Sequence, residues 1–214
     1  MLFRSHLVEI SGNTTVAVGD TTTLTAKAFP EAITGVEFTW TSSSEANATV
    51  AAGVVTGVAT GATNVTAKVN GSTLSATVEV VVVPEGSQLA NFKFVELNLE
   101  NGKSLHNTEL KLSDNNDVTV TFAKGSGSSN PAYYTSGTAV RAYAKNTFKI
   151  AVASGKKISQ INITFGASDG SNAITASAGT YDAGVWTGDA AEVTFTVGGT
   201  SGNRRIASII IIYK

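Results

Sequence analysis

Residues 18–69 read VGDTTTLTAKAFPEAITGVEFTWTSSSEANATVAAGVVTGVATGATNVTAKV, and their alternation decides the fold class. Leu24, Ala26 and Ala28 interleave with Thr23, Thr25 and Lys27, and Val36, Phe38 and Trp40 interleave with Glu37, Thr39 and Thr41. Successive side chains of a strand leave opposite faces, so this period of two makes one apolar and one wet face. Downstream, Leu74, Ala76, Val78, Val80 and Val82 repeat the pattern. Gly19-Asp20, Gly53, Gly61 and Asn70-Gly71 punctuate it. Asn70-Gly71 suits a tight hairpin, because both residues tolerate positive φ. Half-buried strands separated by frequent turn residues indicate an antiparallel sandwich.

Several short motifs add to the alternation. Val18-Gly19-Asp20 precedes one strand and Phe29-Pro30 follows it; Thr39-Trp40-Thr41-Ser42-Ser43 marks the next. Ala48-Thr49-Val50, Gly53-Val54-Val55-Thr56-Gly57-Val58 and Gly61-Ala62-Thr63 complete the set. Together they resemble the bacterial immunoglobulin-like domain of the group 2 family over about residues 6–83. One departure is Ala46-Asn47, where an apolar residue often precedes the Ala-Thr-Val run. The resemblance implies a spacer or adhesion module of a secreted or cell-surface protein, without catalysis. Trp40 is expected to fill the core of this disulfide-free sandwich, since aromatic area dominates core energetics.

Composition sets the outer bounds. The chain has 214 residues, enough for two domains. Its formal net charge is −1 and 14% of its residues are charged. No basic excess exists to meet a nucleic-acid backbone, so nucleic acid is not an expected partner. Cysteine is absent, which excludes disulfides, thiolate metal sites and cysteine nucleophiles. Abundant threonine and 21 glycines fit an all-β chain. No apolar run approaches the about 18 residues of a membrane span. The opening MLFRSHLVEI has too short an apolar run for an export signal. A secreted or cell-surface location therefore rests on the resemblance and composition alone.

Val83-Pro84-Glu85-Gly86-Ser87-Gln88 interrupts the pattern. Residues 84–90 are expected to be a short linker, with the alternative that Leu89–Phe94 forms the first strand of the second domain. Alternation then resumes in Val118, Val120 and Phe122, in Phe148, Ile150 and Val152, in Ile161, Ile163 and Phe165, and in Val193, Phe195 and Val197. The run Ile209–Ile212 ahead of Tyr213 reads as a strand covered on both faces. Leu105–Leu112 is read as one turn of helix. Residues 91–214 are thus expected to form a second β-sandwich, of jelly-roll or galactose-binding-like type. Its segments also resemble a recurrent module of bacterial extracellular proteins, which implies a surface module and identifies no ligand. The predicted fold class is all-β, with two tandem β-sandwiches.

Catalytic constellations are sparse. The two histidines, His6 and His106, fall in different predicted domains, so neither a triad nor a zinc site is supported. Asp169, Asp182, Asp189 and Glu192 could pair as glycosidase carboxylates, but each sits among turn residues. No enzyme activity and no resident cofactor are expected. Calcium is the one ion considered, with Asp114, Asp117 and Asp169 as candidate ligands in the oxygen-rich runs Asp114-Asn115-Asn116-Asp117 and Asp169-Gly170-Ser171-Asn172. The competing reading is turns held by Asx hydrogen bonds. The glycine-rich pieces at 125–127 and 198–202 lack a phosphate-loop lysine and a following helix, so they read as plain connections.

Aromatic residues near loops point to sugar. Sugar rings lay their C–H faces on aromatic rings while polar groups fix the hydroxyls. The candidate ligand-binding residues are Tyr133, Tyr134, Arg141, Tyr143, Trp186 and Arg205, with Asn146 nearby and the tyrosines and Trp186 placed in loops. The competing reading has Tyr143 and Trp186 capping the core while the arginines cover sheet edges or pair with carboxylates. The expected function is a non-catalytic region of a bacterial surface protein: an Ig-like spacer or adhesion module, then a sandwich that binds glycan or a cell-surface or matrix protein. A carbohydrate-binding accessory region of a glycan-degrading enzyme is the alternative. The fragment is expected to be monomeric.

Overall fold

A computed structural model describes residues 7–29 and 35–214. His6 and Pro30 lie outside the described residues. The chain divides into two units, Met1–Gln88 and Leu89–Lys214.

In the first unit the strands are β1 (Leu7–Gly12), β2 (Thr15–Ala17), β3 (Thr21–Phe29), β4 (Phe38–Ser42), β5 (Ala48–Ala51), β6 (Val54–Gly57), β7 (Gly61–Val69) and β8 (Ser75–Val83). They form two four-stranded sheets, in the orders β1-β3-β6-β5 and β2-β8-β7-β4. β2 runs parallel to β8, and the other pairs are antiparallel. Leu24, Ala48 and Val55 from one sheet share a core with Val16, Val65, Val80 and Val82 from the other. The inward positions are those that alternation selects. Asn70-Gly71 closes the β7–β8 hairpin, with Gly71 at φ 73°.

Trp40 departs from expectation in degree. It packs against this core yet stays half-buried, at its margin. The core is filled chiefly by valine, whose branched side chain suits a pleated surface. Gly53, at φ 84°, lies under the indole: a Cβ there would come within 3.3 Å of the ring and collide with the Leu24 carbonyl.

In the second unit the strands are β9 (Gln88–Lys93), β10 (Thr108–Leu110), β11 (Val118–Ala123), β12 (Ala132–Tyr134), β13 (Ala139–Tyr143), β14 (Thr147–Val152), β15 (Ile158–Phe165), β16 (Ile174–Ala176), β17 (Thr180–Asp182), β18 (Val185–Ala190), β19 (Glu192–Val197) and β20 (Asn203–Tyr213). One sheet has the order β10-β11-β14-β19-β16; the other runs β12-β13-β20-β15-β18-β17, with β9 also pairing β20. Residues 88–90, expected as linker, are therefore the start of β9, because Ala90 and Phe92 turn into the core.

That core joins both sheets and carries a file of rings. Phe122, Phe148 and Phe195 are cross-strand neighbours on β11, β14 and β19. Phe148 and Phe195 stack at 4.9 Å, and Phe94 and Tyr181 meet the ends of the file edge-on. Such ring pairs add about 1 kcal/mol each beyond their buried area.

Two local readings are corrected. Leu105–Leu112 contains β10, not a helical turn; the one 3-10 turn among the described residues is Phe94–Leu97, closed by Asn98 in the left-handed region at φ 51°. β20 is not buried on both faces. Ile209, Ile211 and Tyr213 point inward, while Ile210 and Ile212 are half-buried on the outer face beside Asn162 and Gln160.

Candidate functional site

The candidate residues separate by strand parity. β12, β13 and β20 lie side by side, with Tyr133 opposite Val140 and Val140 opposite Ile206. That row faces inward, so Tyr133 is 3% exposed. The neighbouring row has the opposite parity: Ala132, which is buried, and the half-buried Tyr134 on β12, Arg141 and Tyr143 on β13, Arg205 and Asn203 on β20. The tyrosines expected in a loop are thus on a strand, and only Tyr134 of the two reaches the surface.

Trp186 is corrected more strongly. It lies on β18, opposite Ile161 and Tyr181, and is fully buried. Its indole N–H donates to the Ala178 carbonyl at 2.5 Å. The glycines around it make room for the ring. A Cβ at Gly179 or Gly188 would approach indole atoms to 2.5 or 2.6 Å. A buried ring offers no face to a sugar.

The outward row makes one cluster. The Arg141 guanidinium stacks over the Tyr134 ring at 4.2 Å from its centre. The Tyr134 and Tyr143 hydroxyls meet at 3.3 Å. Burial pushes the Tyr143 hydroxyl above its ordinary value, the bond to Tyr134 pushes the same way, and Arg141 pulls it back. Tyr143 therefore remains a neutral phenol, able to donate and accept.

Tyr143 also lines a groove of about 340 Å³, with Ser126, Ser128, Ser129, Lys145 and Ser201 among its walls. Asn146 shapes one wall from beneath. It is fully buried, and its amide donates to the Lys124 and Ser129 carbonyls while its oxygen accepts the Tyr143 amide. These bonds pin the 124–129 loop, and Gly127 is needed because a Cβ there would strike the Ala144 carbonyl at 2.7 Å. Asn146 is thus a support and not a contact. Sequence reading missed the groove. Its serines and Thr200 belong to connections about 70 residues apart in sequence, and no local signal brings them together.

Two of the three calcium candidates hold other partners. Asp169 bonds Arg204 through one oxygen and the Arg205 amide through the other. Asp117 pairs with Lys156 at 3.3 Å, and its amide donates to Asn115 in an Asx turn. Asp114 is exposed. Among the described residues no group of three metal-ligating side chains converges. Of the carboxylates weighed for hydrolysis, Glu192 pairs with Lys149. His106 is exposed, and its Nδ1 accepts the Lys124 amide at 2.9 Å.

Comparison with known proteins separates the two units. Residues 7–80 match the model of the bacterial Ig-like domain, group 2. The first unit is a bacterial Ig-like domain. No curated protein matches the chain. Among solved structures, domains 4–9 of the surface layer protein SbsC align with 92% of this chain at 19% identity and a TM-score of 0.31; the chain spans 28% of that chain's length. No helix among the described residues is long and apolar enough to cross a membrane.

Proposed function

We propose that the chain is a non-catalytic region of a bacterial secreted or cell-surface protein, in which the Ig-like domain is a spacer and the second, jelly-roll-like sandwich binds glycan. The observation that carries this is the Tyr134–Arg141–Tyr143 cluster, whose Tyr143 also lines a polar groove. The guanidinium lies 4.2 Å from the Tyr134 ring centre and the two phenols meet at 3.3 Å, while the groove adds serine hydroxyls and the Lys145 ammonium. This is the chemistry a polyol uses: an aromatic ring for C–H groups and a dense set of short donors and acceptors.

A shallow site of this kind binds weakly, and repeated display would supply tight attachment. Titrating the full chain with a panel of oligosaccharides, followed by amide chemical shifts, tests the proposal. Shifts grouped on β12, β13 and the 124–129 loop, weakened in Tyr143→Ala, support it. Absence of any shift at millimolar sugar sinks it.

A further inference from the structure

Arg141 and Arg205 are direct cross-strand partners on β13 and β20, so their side chains leave the same outer face. Like charges in that relation destabilise a sheet, and proteins usually place a carboxylate between them. None is placed here. Among the described residues the ion pairs involve other cations, and neither Arg141 nor Arg205 takes part in one. The nearby carboxylate, Asp169, is used by Arg204. Arg141 stacks on the Tyr134 ring and lies beside the Tyr143 hydroxyl, neither of which carries a negative charge. Arg205 donates one bond to the Ala167 carbonyl at 3.3 Å, and its buried Nε has no acceptor. Asn203, on β20 opposite Tyr143, likewise buries a side-chain oxygen with no donor.

These features describe two kinds of demand on one row. The guanidinium pair calls for a planar oxyanion, which guanidinium groups grip through paired N–H donors. The Tyr143 phenol and the groove serines call for hydroxyl groups. A single ligand meets both if it is a sugar that carries a carboxylate. We infer that the outer face of β12, β13 and β20 recognises an acidic saccharide of the uronate class, its carboxylate held between Arg141 and Arg205 and its hydroxyls toward Tyr143 and the groove. The inference rests on the glycan-binding proposal and narrows it.

The test is calorimetric titration of the full chain with three probes: tetragalacturonate, its carboxyl-reduced tetragalactose counterpart, and a tetraglutamate peptide. Tetragalacturonate should bind at least about tenfold more tightly than the reduced sugar. That preference should shrink on raising the salt, because screening weakens an exposed charge contact. It should also vanish in Arg141→Gln, a half-buried position whose thermal unfolding serves as the folding control. Arg205→Lys, which keeps the charge and loses the fork, should retain part of it. Equal binding of both sugars overturns the uronate inference and leaves the glycan proposal standing. Binding of neither sugar overturns both. Tetraglutamate binding as tightly as tetragalacturonate overturns the saccharide assignment, because the anion alone would then suffice.

Discussion

The Arg204 guanidinium closes on Asp169 at 2.7 Å, with their side chains 15% and 18% exposed. The same guanidinium stacks over Phe165 at 3.7 Å and donates to the Asn172 carbonyl, while Asn172 holds the Gly198 and Ser201 carbonyls. One ion pair thereby ties the 166–173 connection to the start of β20 and, through Asn172, to the glycine-rich turn that borders the groove. Removing one partner leaves a largely buried charge alone, at a cost of about 3 kcal/mol. Asp169→Asn should lower the unfolding free energy of the second unit by about that amount in urea titration. Millimolar calcium should not restore it, since the lost interaction is with a cation of the chain itself.

Trp186→Ala should destabilise the second unit by about 3 to 5 kcal/mol, the range for truncating a buried aromatic. Trp186→Phe keeps most of the packing but orphans the Ala178 carbonyl, and should cost about 1 to 3 kcal/mol. Trp40→Phe, at the margin of the first core, should cost less than the Trp186→Ala change. The chain has two tryptophans, one in each unit. Fluorescence of the Trp40→Phe protein therefore reports unfolding of the second unit alone, and its emission should be blue-shifted.

Asn146→Ala removes three hydrogen bonds made by a fully buried side chain. The Ser129 carbonyl and the Tyr143 amide then lose this partner, and the Lys124 carbonyl is left with the Gly127 amide alone, a loss of about 3 kcal/mol at roughly 1 kcal/mol per bond. Hydrogen exchange should rise first in the 124–129 loop. Saccharide affinity should fall with it, although Asn146 itself makes no contact with the groove. Unchanged exchange in that loop would show that the groove wall is held by other means.

The hydroxyls of Tyr143, Tyr181 and Tyr213 are all held above the ordinary value of 10.0, in each case chiefly by burial. The folded chain keeps these protons more tightly than the unfolded chain does. Their contribution to stability is therefore complete below about pH 10 and is lost as pH rises through the folded values. Urea midpoints for the second unit should be insensitive to tyrosine ionisation up to about pH 9 and decline above about pH 10. Phenolate absorbance in the near ultraviolet should show three tyrosines titrating late, together with unfolding.

Much of the fold was legible because strand burial depends on parity, and parity is a local property. The rows Leu24–Ala26–Ala28, Val118–Val120–Phe122 and Phe148–Ile150 each turn inward as alternation requires. The candidate site was legible only in part. Tyr133 and Tyr134 are adjacent, yet one is buried and one faces out, and nothing in Pro-Ala-Tyr-Tyr says which. Trp186 among glycines reads either as a loop contact or as a core cap; the structure buries it, and the glycines are there because the indole presses against their backbone. The signal that could have shown this is the position of the glycines on both sides of a lone tryptophan within an otherwise strand-like run.

What the sequence by itself determined is the all-β class, the Ig-like character of the first unit, and most inward positions, because period-two alternation and turn residues act over a few neighbours. Only the tertiary structure decided which polar residues meet. Arg141 and Arg205 stand 64 positions apart, and Tyr143 joins serines from two separate connections. Those encounters depend on sheet order and register. Register is set by the packing of a whole face against its partner sheet, and no short stretch of chain encodes it.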